Sequence, residues 1–539
     1  MLIVAVNPGH DGAIAVIEDR ELLFSLESEK DSFPRHQALT PMSLFDITER
    51  IGDVPDMIAI GGWHKPGILG RTHVEAGYHG GHVLTERSTT FCGKQVKLFS
   101  SSHIRSHIMM GAGMAPPDDA DQRAVLVWEG SEGTFYLLDR SWNVVQEIPV
   151  LQNPGGRYSM IFTIAARVYQ DFVYMPSLDD SGKLMALAAF GDPERASREV
   201  KETVERLLAP EGFPATKARY ADAPFYNAGV QHETTTDAAA YLTFRMFEIF
   251  AEAAQELIPA GIPLYISGGC GLNCDWNVMW QELGHFSSVF VPPCTNDSGS
   301  AVGTALDALH FATGDPRVDW NVYCGLEFEW DSDPDPGRWQ RRELDLDQLS
   351  VALASGRIVA WVQGRWEMGP RALGNRSLLA EPSSQLTRDA LNRIKQRESY
   401  RPIAPCCRLE DAGKAFNRDF HDPYMLYFRR VAAEGLAAVM HVDGTARVQT
   451  VTAESNPPLH DLLSAFAERK GLGVLCNTSL NFQGTGFINR MSDLTRYCEI
   501  NGVSDFVVGD TWYKQIPPGT RPVQMTPARA DDRLTATAA

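Results

Sequence analysis

The chain has 539 residues, with 49 Lys and Arg against 68 Asp and Glu, for a formal net charge of −19. That length exceeds what one hydrophobic core serves, so two or more domains are expected. The charge argues against nucleic acid or an anionic membrane as main partner, and no apolar run approaches the roughly twenty residues that cross a bilayer.

The N-terminal stretch "MLIVAVNPGHDGAIAVIEDR" has no basic leader and runs straight into strand-like sequence, so no secretory signal is expected. Nine cysteines are scattered, with no disulfide framework and no paired C-x-x-C zinc pattern. Together these point to a reduced, cytoplasmic protein. Leu2–Ile17 reads as strand, polar glycine loop, strand, and Ala124–Leu138 has the same layout. A buried strand ending in a glycine pair follows at "LYISGGCGLN" (Leu264–Asn273). Two hairpins with glycine-rich tips and a later glycine turn match the nucleotide cradle of the actin/sugar-kinase/Hsp70 class. In the first tip, "NPGHDGA", the backbone at Gly9 and Gly12 can approach a phosphate, and His10 can serve as general base.

In "SSHIRSHIMMGAG", His103 and His107 lie at i and i+4, on one face of a helix, where both can hold one metal ion. Asp297, before a small-residue helix, is a third candidate ligand, although an Asp-Ser-Gly is also an ordinary helix N-cap. Glu129, on the second hairpin tip, is a fourth. Such nitrogen and carboxylate donors suit Fe, Mn or Zn. In "DDSGKLMALAAFG", Lys183 sits at a helix start, a position that favours phosphate but lacks P-loop spacing.

The polar stretch Glu327–Gln348 reads as a linker. Beyond it, "LSVALASGRIVAWVQG" reads as helix, glycine stop and buried strand. Between Arg365 and Arg408 stand nine Lys or Arg and only four acids, a reversal of the overall charge. Arg388, Arg393 and Arg397 fit a solvated helix face. The arginines in "RWEMGPRALGNRS" (Arg365–Ser377) instead occupy turns, where a guanidinium fork grips phosphate or carboxylate. Arg447 on a hairpin and the amides and hydroxyls of Asn477–Asn481 suit a small planar amide beside an anion. The expected organisation is a domain over 1–330, a second over 343–516 and a flexible tail over 517–539.

Nine motifs, from "GHDGA" through "SSHIRSH", "SGKLMALAAFG", "SGGCGLN", "NDSGSAVGTAL", "EMGPRALGNRS", "KQRESYRPIAP" and "HVDGTARVQTV" to "CNTSLN", stand in the order of one family. On these the chain resembles the O-carbamoyltransferases of nodulation and antibiotic biosynthesis, most nearly the members that act on ansamycins such as geldanamycin. The resemblance implies an α/β protein with an N-terminal actin/Hsp70-like (Kae1-like) domain and a C-terminal YrdC-like domain. It implies that ATP, taken with Mg, and carbamoyl phosphate form carbamoyl-adenylate in the second domain, and that the first passes the carbamoyl group to an acceptor hydroxyl. On the same ground His103, His107 and Asp297 are metal ligands, and His10 is the base. Lys183, Gly268, Gly269 and Asn273 line a nucleotide pocket, while Arg371, Lys395, Arg401, Arg447, Asn477 and Ser479 hold carbamoyl phosphate and the adenylate. Two positions depart from the family pattern: Glu129 stands where Asp is usual, and "GTGFIN" (Gly484–Asn489) replaces Gly-Glu-Pro-Ile-Val. The histidine-rich stretch Gly61–His82 is the expected acceptor region. A large apolar macrolactam is preferred to an aminoglycoside, whose cations would call for more carboxylates. The alternatives are a tRNA threonylcarbamoyl-transfer enzyme, which the charge disfavours, and a sugar-kinase-like ATPase, which leaves the arginine-rich half without a task.

Overall fold

Three large β-sheets organise the described residues. The structure, a computed structural model, describes residues 1–63, 76–174 and 176–517. Part of the expected acceptor stretch and nearly all of the expected tail therefore lie outside the described residues.

The first sheet has six strands: β1 (Leu2–Asn7), β2 (Ala13–Glu18), β3 (Glu21–Glu27), β4 (Met57–Gly61), β5 (Leu84–Phe91) and β6 (Lys94–Ser101). Their order is β3-β2-β1-β4-β6-β5. The first three form an antiparallel meander, and β4 and β6 then add in parallel on the far side of β1. The second sheet winds the same way. Its strands are β7 (Gln122–Trp128), β8 (Gly133–Asp139), β9 (Val144–Pro149), β10 (Leu264–Ser267) and β11 (Val289–Phe290), in the order β9-β8-β7-β10-β11. Here too an antiparallel meander is extended by two parallel strands. Both glycine-tipped hairpins are thus present, and each opens one copy of a duplicated α/β unit.

Strands β1, β2, β7 and β8 carry near-continuous apolar runs because they are covered on both faces. Helix His103–Met114 is buried along its whole length. Gly303 lets helix Ser300–Thr313 touch it: a Cβ there would lie 1.9 Å from the Ser106 carbonyl oxygen. On the outer face of the second sheet, stacked Trp128 and Trp276 centre the largest apolar core.

The third sheet is mixed and has eight strands: β12 (Trp339–Glu343), β13 (Val359–Val362), β14 (Arg376–Ala380), β15 (Ala404–Arg408), β18 (Gln449–Val451), β19 (Val474–Ser479), β20 (Asp505–Val508) and β21 (Thr511–Gln515). A short ribbon, β16 (Phe428–Arg430) with β17 (Thr445–Arg447), stands beside it. Apolar clusters cover both faces of the large sheet. The helix–glycine–strand reading of Leu349–Gly364 agrees with helix Leu346–Ala354, Gly356 at φ +89° and β13. The linker reading of Glu327–Gln348 is corrected in its second half. Trp339–Glu343 is an edge strand with one buried residue, Trp339, so it shows none of the alternation that marks a strand.

Candidate functional site

The first candidate site lies where the duplicated units meet. Ser102 caps helix His103–Met114, its side chain accepting from the Arg105 amide, and this sets His103 and His107 one turn apart at the buried helix start. Their Nε2 atoms are 3.2 Å from each other. Glu129, just beyond β7, brings Oε2 to 3.2 Å from His103 Nε2. Asp297 brings Oδ1 to 3.2 Å from His107 Nε2. Asp297 caps no helix; its side chain makes no capping bond in the turn Asp297–Gly299 or at the following helix. One donor atom from each of the four residues falls within 4.8 Å of the rest, and all four residues are buried. Two imidazoles and two carboxylates so placed are a fitting donor set for a divalent transition metal.

Residues to which the sequence reading gave no role hold this set in place. Ser267, at the end of β10, places its hydroxyl 3.0 Å from His107 Nδ1, leaving Nε2 to face the centre. Tyr78 donates to Glu129 Oε1 at 2.9 Å and stacks on His103 with ring centroids 4.3 Å apart. Asn7 donates to the Asp297 carbonyl at 3.1 Å and the Asp11 carbonyl at 3.3 Å. Burial opposes ionisation of His103, but Asp297 and Glu129 more than offset it and raise the imidazolium's pKa.

His10 stands at the rim, half-exposed. Its Nδ1 is 2.8 Å from Asp11 Oδ2, and its Nε2 is 3.6 Å from Asp297 Oδ2. Trp63 packs edge-on against His10, with centroids 4.8 Å apart, and so walls the same mouth. Asp11 is shared: His36 Nδ1 lies 3.0 Å from each of its oxygens. No signal in the sequence marks His36, because it approaches from a separate loop.

The glycine turn after β10 is fixed by close approach. Gly268 has φ +101°, and a Cβ on it would meet the Trp128 carbonyl oxygen at 2.5 Å. Gly269 has open space beside it. Asn273 caps helix Cys274–Glu282 by accepting from the Asp275 and Trp276 amides, and its Nδ2 is buried without a partner. Lys183 pairs with Asp180 at 3.1 Å within its own helix.

A second, cationic pocket joins that turn to the third sheet. Arg371 donates to the Leu272 carbonyl at 3.1 Å, so a loop of the arginine-rich half rests on the glycine turn. Burial first, then repulsion from Arg447, lowers the Arg371 pKa to about 9. Arg447 is also lowered, by burial above all. Lys395 Nζ donates to the Ser479 carbonyl at 2.7 Å, the Asn481 carbonyl at 3.1 Å and the Asn481 side chain. Burial, then Arg397, Arg35 and Arg401, holds its pKa well below the ordinary lysine range. Asn477 donates to the Ala372 carbonyl and Gln449 Oε1, while its own Oδ1 is buried and unpaired. Arg401 stands half-buried, 3.8 Å from Glu398.

Three sequence expectations are corrected here. Arg365 and Arg376 grip backbone, not an anion. Arg365 donates to the carbonyls of Gly325, Cys324 and Leu23; Arg376, fully buried, donates to those of Gln363, Gly364 and Asn375 and to Asn489 Oδ1. Arg397 is not on a solvated face: burial, then Arg401 and Arg447, lowers it to about 9.

Two imidazoles and two carboxylates thus converge on one buried centre, and a cluster of buried arginines stands in the same chain. The sequence matches the model of the carbamoyltransferase N-terminus over residues 82–306 and that of the C-terminus over 350–515. It is 60% identical to the 3'-hydroxymethylcephem-O-carbamoyltransferase of Streptomyces clavuligerus, across 96% of this chain and 99% of that one. To the enzyme of the same name from Amycolatopsis lactamdurans it is 59% identical, with the same coverage. Identity to nodulation protein U of Rhizobium tropici is 31%, over 93% of each chain. Likeness to solved structures is low: the activator of 2-hydroxyisocaproyl-CoA dehydratase from Clostridium difficile, at 12% identity, covers 58% of this chain and 96% of its own with a TM-score of 0.34. The chain belongs to the carbamoyltransferase family, and the protein is an O-carbamoyltransferase. No helix among the described residues is long and apolar enough to cross a membrane.

Proposed function

We propose that the protein uses ATP and carbamoyl phosphate to carbamoylate the 3'-hydroxymethyl group of a cephem. The observation that carries this reading is 60% identity over nearly the full length of a relative named for that acceptor. It favours a cephem over the ansamycin macrolactam that motif resemblance suggested.

The chemistry balances in three steps. Water splits carbamoyl phosphate to carbamate and phosphate. A carbamate oxygen attacks the α-phosphorus of ATP, giving carbamoyl-adenylate and pyrophosphate. The acceptor oxygen then attacks the carbamoyl carbon, and AMP leaves. In the cationic pocket Arg371, Arg401, Arg447 and Lys395 neutralise the phosphates, while the buried Asn477 Oδ1 and Ser479 orient the carbamoyl amide. YrdC-like chemistry in the third-sheet region is part of the same reading. In the first pocket, Gly268, Gly269, Asn273 and Lys183 receive the nucleotide. His10, oriented by Asp11, takes the proton of the acceptor hydroxyl on its ring nitrogen. His103, His107, Glu129 and Asp297 would hold the metal, which when bound supplies a Lewis acid for the carbonyl or phosphate oxygen. The contact of Arg371 with the Leu272 carbonyl, beside the glycine turn, supports a short, protected route for the adenylate between the two pockets.

The test is to incubate the enzyme with ATP, Mg²⁺, ¹³C-carbamoyl phosphate and a 3'-hydroxymethylcephem. A labelled carbamate ester on the cephem is the expected product. Its absence, with labelled ester appearing on an ansamycin or an aminoglycoside offered in parallel, overturns the acceptor assignment.

A further inference from the structure

The segment after β3 does not return to its own sheet. Ser32 N donates to the Phe487 carbonyl at 2.9 Å, Gly486 N to Phe33 at 2.9 Å and Arg35 N to Gly484 at 3.0 Å. A strap from the N-terminal unit is thereby zipped onto the loop that departs from the family pattern. Gly486 permits the contact, since a Cβ there would lie 2.0 Å from the Glu29 carbonyl oxygen. The partner loop is the one that positions Lys395: Asn481 accepts from Lys395, and Asn481 Nδ2 donates to the Thr485 carbonyl at 2.9 Å. Beyond Arg35 the strap is anchored again, by His36 on Asp11 and by His36 Nε2 at 3.7 Å from Asp179. Arg35 is therefore fixed on both sides.

Its guanidinium is not consumed by the protein. The nearest carboxylate oxygen, on Glu29, is 3.7 Å from Nε, and that Nε is buried without a hydrogen bond. Arg371 Nε and Arg447 Nε are buried and unpaired in the same way. After burial, Arg35 is among the cations that depress Lys395 and Arg371. Three guanidiniums with unused buried Nε donors, Arg35 and Arg447 each close enough to repel Arg371, call for an anion between them.

We propose that Arg35 is a phosphate-binding residue of the cationic pocket, delivered across the chain by the strap so that one phosphate is gripped by Arg35, Arg371 and Arg447 together. This rests on the reading of that pocket given above and extends it. The phosphate is that of carbamoyl phosphate or of the nucleotide.

The experiment measures pyrophosphate release without acceptor for the wild type, Arg35→Ala and Arg35→Lys, with carbamoyl phosphate and ATP varied separately. It also records the rise in melting temperature given by inorganic pyrophosphate. Loss of a charge-assisted fork corresponds to about a 10- to 100-fold rise in KM. A rise confined to carbamoyl phosphate assigns Arg35 to that phosphate, and a rise confined to ATP assigns it to the nucleotide. Arg35→Lys, which keeps the charge but not the fork, is expected to fall between wild type and Arg35→Ala. Both KM values within twofold of wild type in folded Arg35→Ala, or in Arg35→Lys should the alanine variant not fold, overturn the proposal. If the wild type itself releases no pyrophosphate, the substrate reading fails instead. The melting shift then decides alone: its loss in Arg35→Ala supports an anion-binding Arg35, and its persistence refutes one.

Discussion

Lys30 donates through Nζ to the Gly369 carbonyl at 2.7 Å, while Glu27 Oε1 accepts from the Gly369 amide at 2.6 Å. Two side chains at the end of β3 thus clasp one glycine of the arginine-rich loop, 339 residues further on. Lys30 and Glu27 are both buried and 3.4 Å apart, and Phe487 covers the ammonium. The duplicated unit and the third sheet are joined through backbone groups that have no access to water.

Replacing Lys30 with Ala strands the Glu27 carboxylate. Breaking a buried pair in this way costs about 3–5 kcal/mol. The variant should melt earlier and lose both half-reactions together. A normal denaturant midpoint would show that the clasp contributes nothing to joining the two regions.

Arg376 and Arg371 stand five residues apart and should behave oppositely. Arg376→Ala removes donors to three buried carbonyls and to Asn489, each worth about 1–3 kcal/mol once left unsatisfied, so it should be expressed poorly or melt early. Arg371→Ala should fold and show about a 10- to 100-fold higher KM for carbamoyl phosphate or ATP, with Arg371→Lys little better. Melting curves and pyrophosphate-release kinetics on both variants separate the two roles.

The glycine turn gives an internally controlled pair. Gly268→Ala forces a side chain into a positive-φ backbone and into the Trp128 carbonyl oxygen, so loss of folding or of activity is expected. A Cβ on Gly269 meets nothing within 4 Å, so Gly269→Ala should retain the fold. Circular dichroism on both checks the difference.

His10→Ala should leave carbamoyl-adenylate formation intact and slow transfer by about 10²- to 10⁴-fold. His103→Ala and Asp297→Ala should reduce the bound metal measured by elemental analysis, and His10→Ala should not. Normal transfer by His10→Ala removes it as the base.

Lys395 is held below the ordinary lysine range by burial and by neighbouring arginines, and a bound phosphate favours its charged form. Anion binding should therefore take up protons, and affinity should fall as pH rises through the lowered Lys395 value. Calorimetry of pyrophosphate binding in buffers of different ionisation enthalpy reads this directly, and an enthalpy independent of buffer would contradict it.

Much of this arrangement was legible where chemistry and local structure coincide. His103 and His107 share a helix face by spacing alone, and both glycine-tipped hairpins follow from short apolar runs flanking glycine turns. Other features depend on tertiary approach. Arg365, Arg371 and Arg376 occupy one thirteen-residue motif, yet only Arg371 faces the pocket, because which arginine meets free carbonyls depends on distant loops at 324–326 and 489. His36 and Arg35 belong to no motif that residue types alone would flag, and Ser267 and Tyr78, though inside stretches singled out, carried no sign of their partners; all four reach the sites from separate strands and loops. β12 was hidden because an edge strand with one buried residue has no period to read.

On the proposed function, the cationic pocket makes an activated carbamoyl group for delivery to the histidine-lined one. Mass spectrometry of the enzyme with ATP, Mg²⁺ and ¹³C-carbamoyl phosphate, without acceptor, tests it most directly. Labelled carbamoyl-adenylate together with pyrophosphate is the expected result. Intact carbamoyl phosphate and ATP, with neither product formed, would contradict it.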